Sequence, residues 1–135
     1  MYSMWSLGQK SVRSVVAMST MVSSILGRTD AEILAWESYV LSSPLATGYH
    51  QSGWRRVIEE AFGHPTHYLV VHGQDGALQG VLPLVLLASR GFGRFLVSLP
   101  FVNYGGVVAS SAEAHRYLEA RAVEQARELN VYHIE

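Results

Sequence analysis

The chain has 135 residues, 49% hydrophobic and 16% charged, enough for one domain with ample material for a core and too short for two full-sized enzymatic domains. Ten basic and eleven acidic residues leave a formal charge of −1, so no global positive field draws the chain to nucleic acid or anionic lipid. With no cysteine, a disulfide scaffold, a thiolate zinc site, an iron–sulfur cluster and a cysteine nucleophile are all excluded.

Residues 1–28 read as an N-terminal extension, either poorly ordered or the product of a start upstream of Met18 or Met21. Lys10 and Arg13 precede a mildly apolar stretch from Val15 to Leu26. Ser19, Thr20, Ser23 and Ser24 interrupt it and no small-x-small cleavage pattern follows, which argues against a secretory signal. Val22 to Leu26 is the place for a first strand. Thr29 and Glu32 form a capping-box pattern, and Ile33, Leu34, Trp36, Val40 and Leu41 recur at near-helical spacing, predicting a helix from about Asp30 to Leu41. Ser42, Ser43 and Pro44 stop it. In the next amphipathic run Trp54, Val57, Ile58, Ala61 and Phe62 share one face and Arg55, Arg56, Glu59 and Glu60 the other, with Gly63 and Pro65 ending it. Trp36, Trp54 and Phe62 are read as core.

The period then changes. Tyr68–His72 and Ala77–Ser89 flank a Gly73-Gln74-Asp75-Gly76 turn, predicting a hairpin. Arg90-Gly91-Phe92-Gly93 turns into a third strand over Arg94–Leu99, and a fourth extended segment lies around Tyr104–Val108. Ser110 and Glu113 make a second capping box, opening a helix with Tyr117, Leu118, Ala122, Ala126 and Leu129 on one stripe and Asn130 as its C-terminal stop. Val131–Glu135 begins a strand whose edge is expected to be open. The longest apolar run elsewhere, Val81 to Ala88, is far short of the ~20 residues of a membrane-spanning helix and contains Pro83, so no integral membrane segment is expected.

This order resembles the first two-thirds of the GNAT-type acyl-CoA N-acyltransferase fold: an α+β domain with an antiparallel meander flanked by helices, here expected to be truncated at the C-terminus. Members that use acetyl-CoA are implied to carry an Arg/Gln-x-x-Gly-x-Gly/Ala loop before the helix, where backbone N–H groups hold the pyrophosphate. Here that place reads Val107-Val108-Ala109-Ser110-Ser111-Ala112-Glu113, without glycine and with an acid where the pyrophosphate would sit. Acetyl-CoA is therefore disfavoured.

Three stretches together resemble the FemAB family of aminoacyl and peptidyl transferases, closest to its exosortase (PEP-CTERM)-associated members. They are Pro44-Leu45-Ala46-Thr47-Gly48-Tyr49-His50 with Gly53-Trp54, Gly80-Val81-Leu82-Pro83-Leu84, and Ser89-Arg90-Gly91-Phe92-Gly93-Arg94 running into Ser98-Leu99-Pro100-Phe101-Val102-Asn103-Tyr104-Gly105-Gly106. The resemblance implies tandem GNAT-like domains, residues 29–135 being an incomplete first one. It further implies cytoplasmic action, peripheral to the inner membrane, on a peptidoglycan-precursor or exopolysaccharide-system substrate, with an aminoacyl-tRNA donor reached through a missing second domain and no metal or CoA. A chain lacking the complete catalytic unit is expected to be inactive alone.

The residues themselves leave alternatives open. His50 stands on a connection, either as a general base or substrate contact, or as a side chain that caps the following helix and closes the loop. Asn103-Tyr104-Gly105-Gly106 is the main candidate binding element, its glycines allowing close approach and its amide and hydroxyl orienting a ligand; the other reading is a bulge with Tyr104 in the core. Arg90 and Arg94 either clamp a carboxylate or phosphate or are solvated turn residues. No histidine pair with metal-ligand spacing, Ser/His/Asp set or glycosidase carboxylate pair emerges, and no catalytic residue is assigned. Beside the transferase reading stand a non-catalytic interaction module that completes its sheet with another chain, and a free-standing CoA-dependent N-acetyltransferase. Self-association through the open edge near Val131–Glu135 is expected on any of these.

Overall fold

The computed structural model describes residues 21–91, 93–99, 106–131 and 133–135. Alternation along the strands divides the core in two. In β2 (Leu69–His72), Leu69 and Val71 face one way, while Val70 and the preceding Tyr68 face the other. The first set packs with Leu82, Leu84, Leu86 and Leu96 against Ala114, Leu118, Ala122 and Ala126 of the last helix, α3 (Ala112–Glu128). The second packs with Val81, Val85, Leu99 and Val108 against Trp36 and Val40 of α1 (Asp30–Ser42) and Ile58. The sheet is thus sandwiched between α3 and the N-terminal helical region.

β1 (Val22–Ile25) runs antiparallel to β2, from Val22 opposite His72 to Ile25 opposite Leu69. β2 pairs antiparallel with β3 (Leu78–Leu82), which pairs in turn with the two-residue β6 (Val108–Ala109). Pro83 has no N–H to donate, and the ladder breaks there. The chain resumes as β4 (Val85–Ser89), paired antiparallel with β5 (Gly93–Val97). Residues preceding β2 follow β4: the His67 N–H donates to the Leu84 carbonyl at 2.8 Å and the Leu86 N–H to that of Pro65 at 2.9 Å. β3 and β4 are therefore two legs of one path.

β5 and β6 lie along the same path. Val97 is opposite Val85 and Val108 opposite Val81, and residues 98–107, of which 98, 99, 106 and 107 are described, form the excursion that connects β5 to β6. The far side of β5 is met in parallel by 133–135: Leu96 donates to the His133 carbonyl at 3.0 Å, Glu135 to that of Leu96 at 3.0 Å, and Ser98 to that of Glu135 at 2.9 Å. The third strand expected from the sequence is β5, in a two-stranded sheet with β4, and Val108 of the fourth segment lies in β6, at the end of the four-stranded sheet β1-β2-β3-β6.

Three local expectations are corrected. The second helix is α2 (Ser52–Arg56) followed by a π turn, Val57–Ala61, whose wider winding shifts the phase of the pattern. Ile58 stays inside, but Phe62 is exposed and Arg55 is buried, the reverse of the expected faces. Trp54 is half-buried, stacked on Tyr49 at 5.7 Å rather than sealed in the core. The N-cap of α3 is Ser111, accepting from the Ala114 N–H at 3.1 Å, so the Ser110/Glu113 capping box is not the one used. Asn130 stops α3 as expected, in the left-handed region at φ 59°.

Candidate functional site

The excursion is fastened at its base. Ser98 Oγ accepts the Gly106 N–H at 2.6 Å, closing the loop as its chain leaves and re-enters the sheet. Leu99, buried, takes the left-handed conformation at φ 56°, which costs a side chain with a Cβ roughly 1–2 kcal/mol and persists only where the surroundings impose it. Gly106 at φ 100° is where a residue without Cβ is required.

His50 holds this base from the helical side. It ends the 3₁₀ turn Gly48–His50 and is buried, with Trp36 Nε1 donating to its carbonyl at 2.6 Å. The Thr47 N–H, always a donor, reaches Nδ1 at 3.1 Å, so Nδ1 is the acceptor and the proton of the neutral ring sits on Nε2. Nε2–H then donates to the Gly106 carbonyl at 3.1 Å, and the Thr47 hydroxyl, also 3.1 Å from Nδ1, can donate to it. Burial pushes the imidazole below its ordinary pKa, against the opposing effect of its bonds to Gly106 and Thr47. A ring with both nitrogens engaged directs no lone pair at a substrate. His50, placed by the sequence either on a cleft wall or in loop closure, sits here as a neutral tie.

Two predicted residues 56 apart in sequence, His50 and Gly106, are thus in contact. Asn103, Tyr104 and Gly105 lie outside the described residues. Arg94 is elsewhere: Nη2 donates to the Leu129 carbonyl at 3.0 Å, satisfying the C-terminus of α3 on the opposite face of the sheet from Trp36. Arg90 is exposed on the β4–β5 turn. The arginines do not join His50 and Gly106 in one site.

Sequence reasoning missed a charged cluster under α2. Arg55 donates from Nη1 to the Gly27 carbonyl at 2.8 Å, from Nη2 to that of Leu26 at 2.9 Å, and from Nε to Thr66 Oγ1 at 3.3 Å. Its guanidinium carbon lies 5.7 Å from the centre of the Tyr68 ring, which stacks on Trp36 at 5.0 Å. Glu59 receives Arg28 through both carboxylate oxygens, at 3.0 and 2.7 Å, and also accepts from the Thr66 hydroxyl; the Arg28 hydrogen bond holds its carboxyl below the usual range. Burial raises the Tyr68 phenol, whose hydroxyl has no hydrogen-bond partner among the described residues. An i, i+4 Arg–Glu pair was legible, but its burial depends on the π turn.

A shallow concavity of about 370 Å³ lies elsewhere, among Met21, Gly73, Gln74, Asp75, Gln79, Ser111 and Glu113, and includes none of the predicted site residues. Its polar groups are partly spoken for: Asp75 Oδ1 accepts the Ala77 N–H at 3.1 Å and the Gln79 carbonyl accepts from Ser110 at 2.8 Å and from the Tyr39 hydroxyl at 3.0 Å. Beside it lies the start of α3. The Ser110 N–H is bound to Gln79, the Ala114 N–H to the Ser111 side chain and the His115 N–H to the Ser111 carbonyl, and Glu113 adds negative charge in the first turn. No group of three or more metal-ligating side chains occurs among the described residues, nor a helix long and apolar enough to cross a membrane.

Among solved structures, the chain is similar to a GNAT family acetyltransferase from Staphylococcus aureus subsp. aureus, at 11% identity over 85% of this chain and 84% of that one, with a TM-score of 0.51. No family model and no curated protein matches the sequence. The likeness, together with the antiparallel meander between helices, defines the class: an α+β, GNAT-like acyltransferase fold.

Proposed function

We propose that this chain is the N-terminal, acceptor-side portion of a FemAB-like aminoacyl or acyl transferase, residues 29–135 forming an incomplete first domain and being inactive alone. Its substrate is a peptidoglycan precursor or a component of an exopolysaccharide system, met in the cytoplasm beside the inner membrane. The donor is an aminoacyl-tRNA held by a second domain rather than acetyl-CoA. The observation that carries this reading is the fastened excursion. The described residues at the two ends of the Pro-Phe-x-x-Tyr-Gly-Gly resemblance are strained, buried Leu99 and Gly106, the latter in contact with the turn that bears Tyr49 and His50. Backbone strain maintained by its surroundings in a loop on a rigid sheet is where binding residues concentrate. Asn103, Tyr104 and Gly105 are the proposed acceptor contacts, with Gly106 as their anchor.

Titration of isotope-labelled chain with the soluble nucleotide-linked muramoyl-peptide precursor, and separately with acetyl-CoA, tests the proposal by amide shifts. Saturable shifts at Ser98, Gly106 and His50 with the precursor, and none with acetyl-CoA, are expected. Saturable acetyl-CoA binding would replace the proposal with a CoA-dependent N-acetyltransferase, and silence to both would favour an interaction module. That second reading has its own support: Leu34, Leu41 and Leu45 are 66%, 69% and 67% exposed, giving the N-terminal helical region an uncovered apolar flank.

A further inference from the structure

Trp36 and Val40 turn one face of α1 into the core, while on its outer face Leu34 and Leu41 are exposed, with Ala31, Ala35, Ser38 and Ser42 exposed beside them. At about 100° per residue, a sector reaching roughly 60° to either side of Ser38 takes in all of these. The two leucines fall on one side of that line, and Ala31, Ala35 and Ser42 on the other. The outer face is therefore a ridge running alongside a groove, and such a surface fits itself. A two-fold axis parallel to α1 lays the leucine ridge of each copy in the small-residue groove of the other. An axis perpendicular to α1 would set leucine against leucine and small residue against small residue. We propose that the outer face of α1 docks a second copy of this chain, the two helices packing in parallel with ridge in groove. This gives the uncovered apolar flank an occupant and does not depend on the transferase reading.

The chemistry of the face suits such a contact. Neither ridge nor groove carries a charge, and the acids of α1 stand at its margins: Asp30 at the first helical position, Glu32 hydrogen-bonded to Thr29, and Glu37 accepting the Ser52 N–H. Ser42, which the pairing covers, already donates its hydroxyl to the Tyr39 carbonyl at 3.0 Å, so its burial strands no donor. Alanine and serine in the groove let the helices approach closely, and the leucine atoms then meet partner atoms instead of water. Leu45, just past the end of α1, is exposed as well and lengthens the apolar surface. Together these side chains offer roughly 500 Å² a copy, about 1,000 Å² for the pair, which is the floor for a specific interface. The dimer is accordingly a weak one.

Sedimentation equilibrium of the whole chain should show a monomer–dimer transition with half-association between about 10 μM and about 1 mM; a monomer throughout that range overturns the proposal. Leu41→Arg, at an exposed position where the fold tolerates change, should raise the dissociation constant at least about tenfold. Ala35→Leu adds apolar surface but fills the groove, so it should weaken the dimer at least about threefold, whereas a merely sticky patch would associate more tightly. Tighter association of Ala35→Leu overturns the proposal, as does a dimer indifferent to Leu41→Arg, the mark of pairing at the 133–135 edge. Because the chain has no cysteine, Ala31→Cys places a single thiol in each copy. At a concentration where the dimer predominates, mild oxidation should link the two thiols, which meet beside the axis of the parallel pair; an antiparallel pair centred on Ser38 would hold them roughly 20 Å apart. Absence of the link overturns the parallel arrangement. Leu41 and Ala35 are unaltered in that variant, so it decides the matter even if their substitutions fail to fold.

Discussion

Removing the Arg55 guanidinium strands the Leu26 and Gly27 carbonyls and takes a partner from Thr66 in one change. Arg55→Leu should therefore cost about 3 kcal/mol, as breaking a buried charged network does, and a fall in the urea midpoint at unchanged slope would register it. Gly106→Ala meets no neighbour but must hold φ 100°, so a loss of roughly 1–2 kcal/mol is expected in the same experiment, from backbone strain alone. At this scale the sequence was uneven evidence. Trp36 was legible as core because a large apolar side chain on a helical stripe has few other places to go. Arg55 was not, because an arginine in an amphipathic pattern is assigned to solvent by its charge. Only the tertiary neighbours, two unpaired backbone carbonyls from the β1–α1 connection, reverse that assignment. His50 lay between, since its type permitted either catalysis or loop closure and only the direction of its nitrogens distinguishes them.

Among the elements, α3 meets the sheet where β3 has a glycine. A Cβ on Gly80 would stand 2.8 Å from Leu118 Cδ1 and 3.2 Å from Val71 Cγ1, so Gly80→Ala should destabilise by about 1–3 kcal/mol through overpacking. Pairing it with Leu118→Ala should give a total below the sum of the two single losses, a non-additivity that a double-mutant cycle detects. α1 was readable nearly to the residue because Thr29 and Glu32 satisfy each other, with the Glu32 N–H on Thr29 Oγ1 at 3.2 Å and the Thr29 N–H on Glu32 Oε2 at 3.3 Å. The π turn left no such local mark. Nor did the separation of β5 from β6: two apolar segments joined by a Pro- and Gly-containing stretch read as successive strands, and only their pairing, β5 with β4 and β6 with β3, places them in different sheets.

For the whole molecule, acid should act in two stages. His50 and His67 are both pushed down by burial, so their contribution to stability is complete above the ordinary imidazole range, roughly pH 6.5, and is lost as pH falls toward their folded values. Glu59, held down chiefly by its Arg28 hydrogen bond, contributes above the ordinary carboxylate value, about 4.3, and that contribution is lost as pH falls through its lower folded value. Urea midpoints across this range should show both declines, and Glu59→Gln should flatten the lower one. Arg28 is 66% exposed on its side chain, so added salt should shrink the lower decline as well. Self-association is expected through the outer side of 133–135, where His133, Ile134 and Glu135 are exposed; sedimentation that stays monomeric as concentration rises would count against it.

The Ser98–Gly106 bond gives the excursion a kind of modularity. Its two feet are joined to each other and the flanking strands are registered independently on β4 and β3, so the register of neither depends on how many residues lie between them. Doubling such a loop adds only about 0.6 kcal/mol of closure entropy. Tips of different length and composition can therefore be exchanged on this one scaffold while the sheet, both cores and the His50 tie are kept, which makes the excursion the natural place for specificity to diverge or be redesigned.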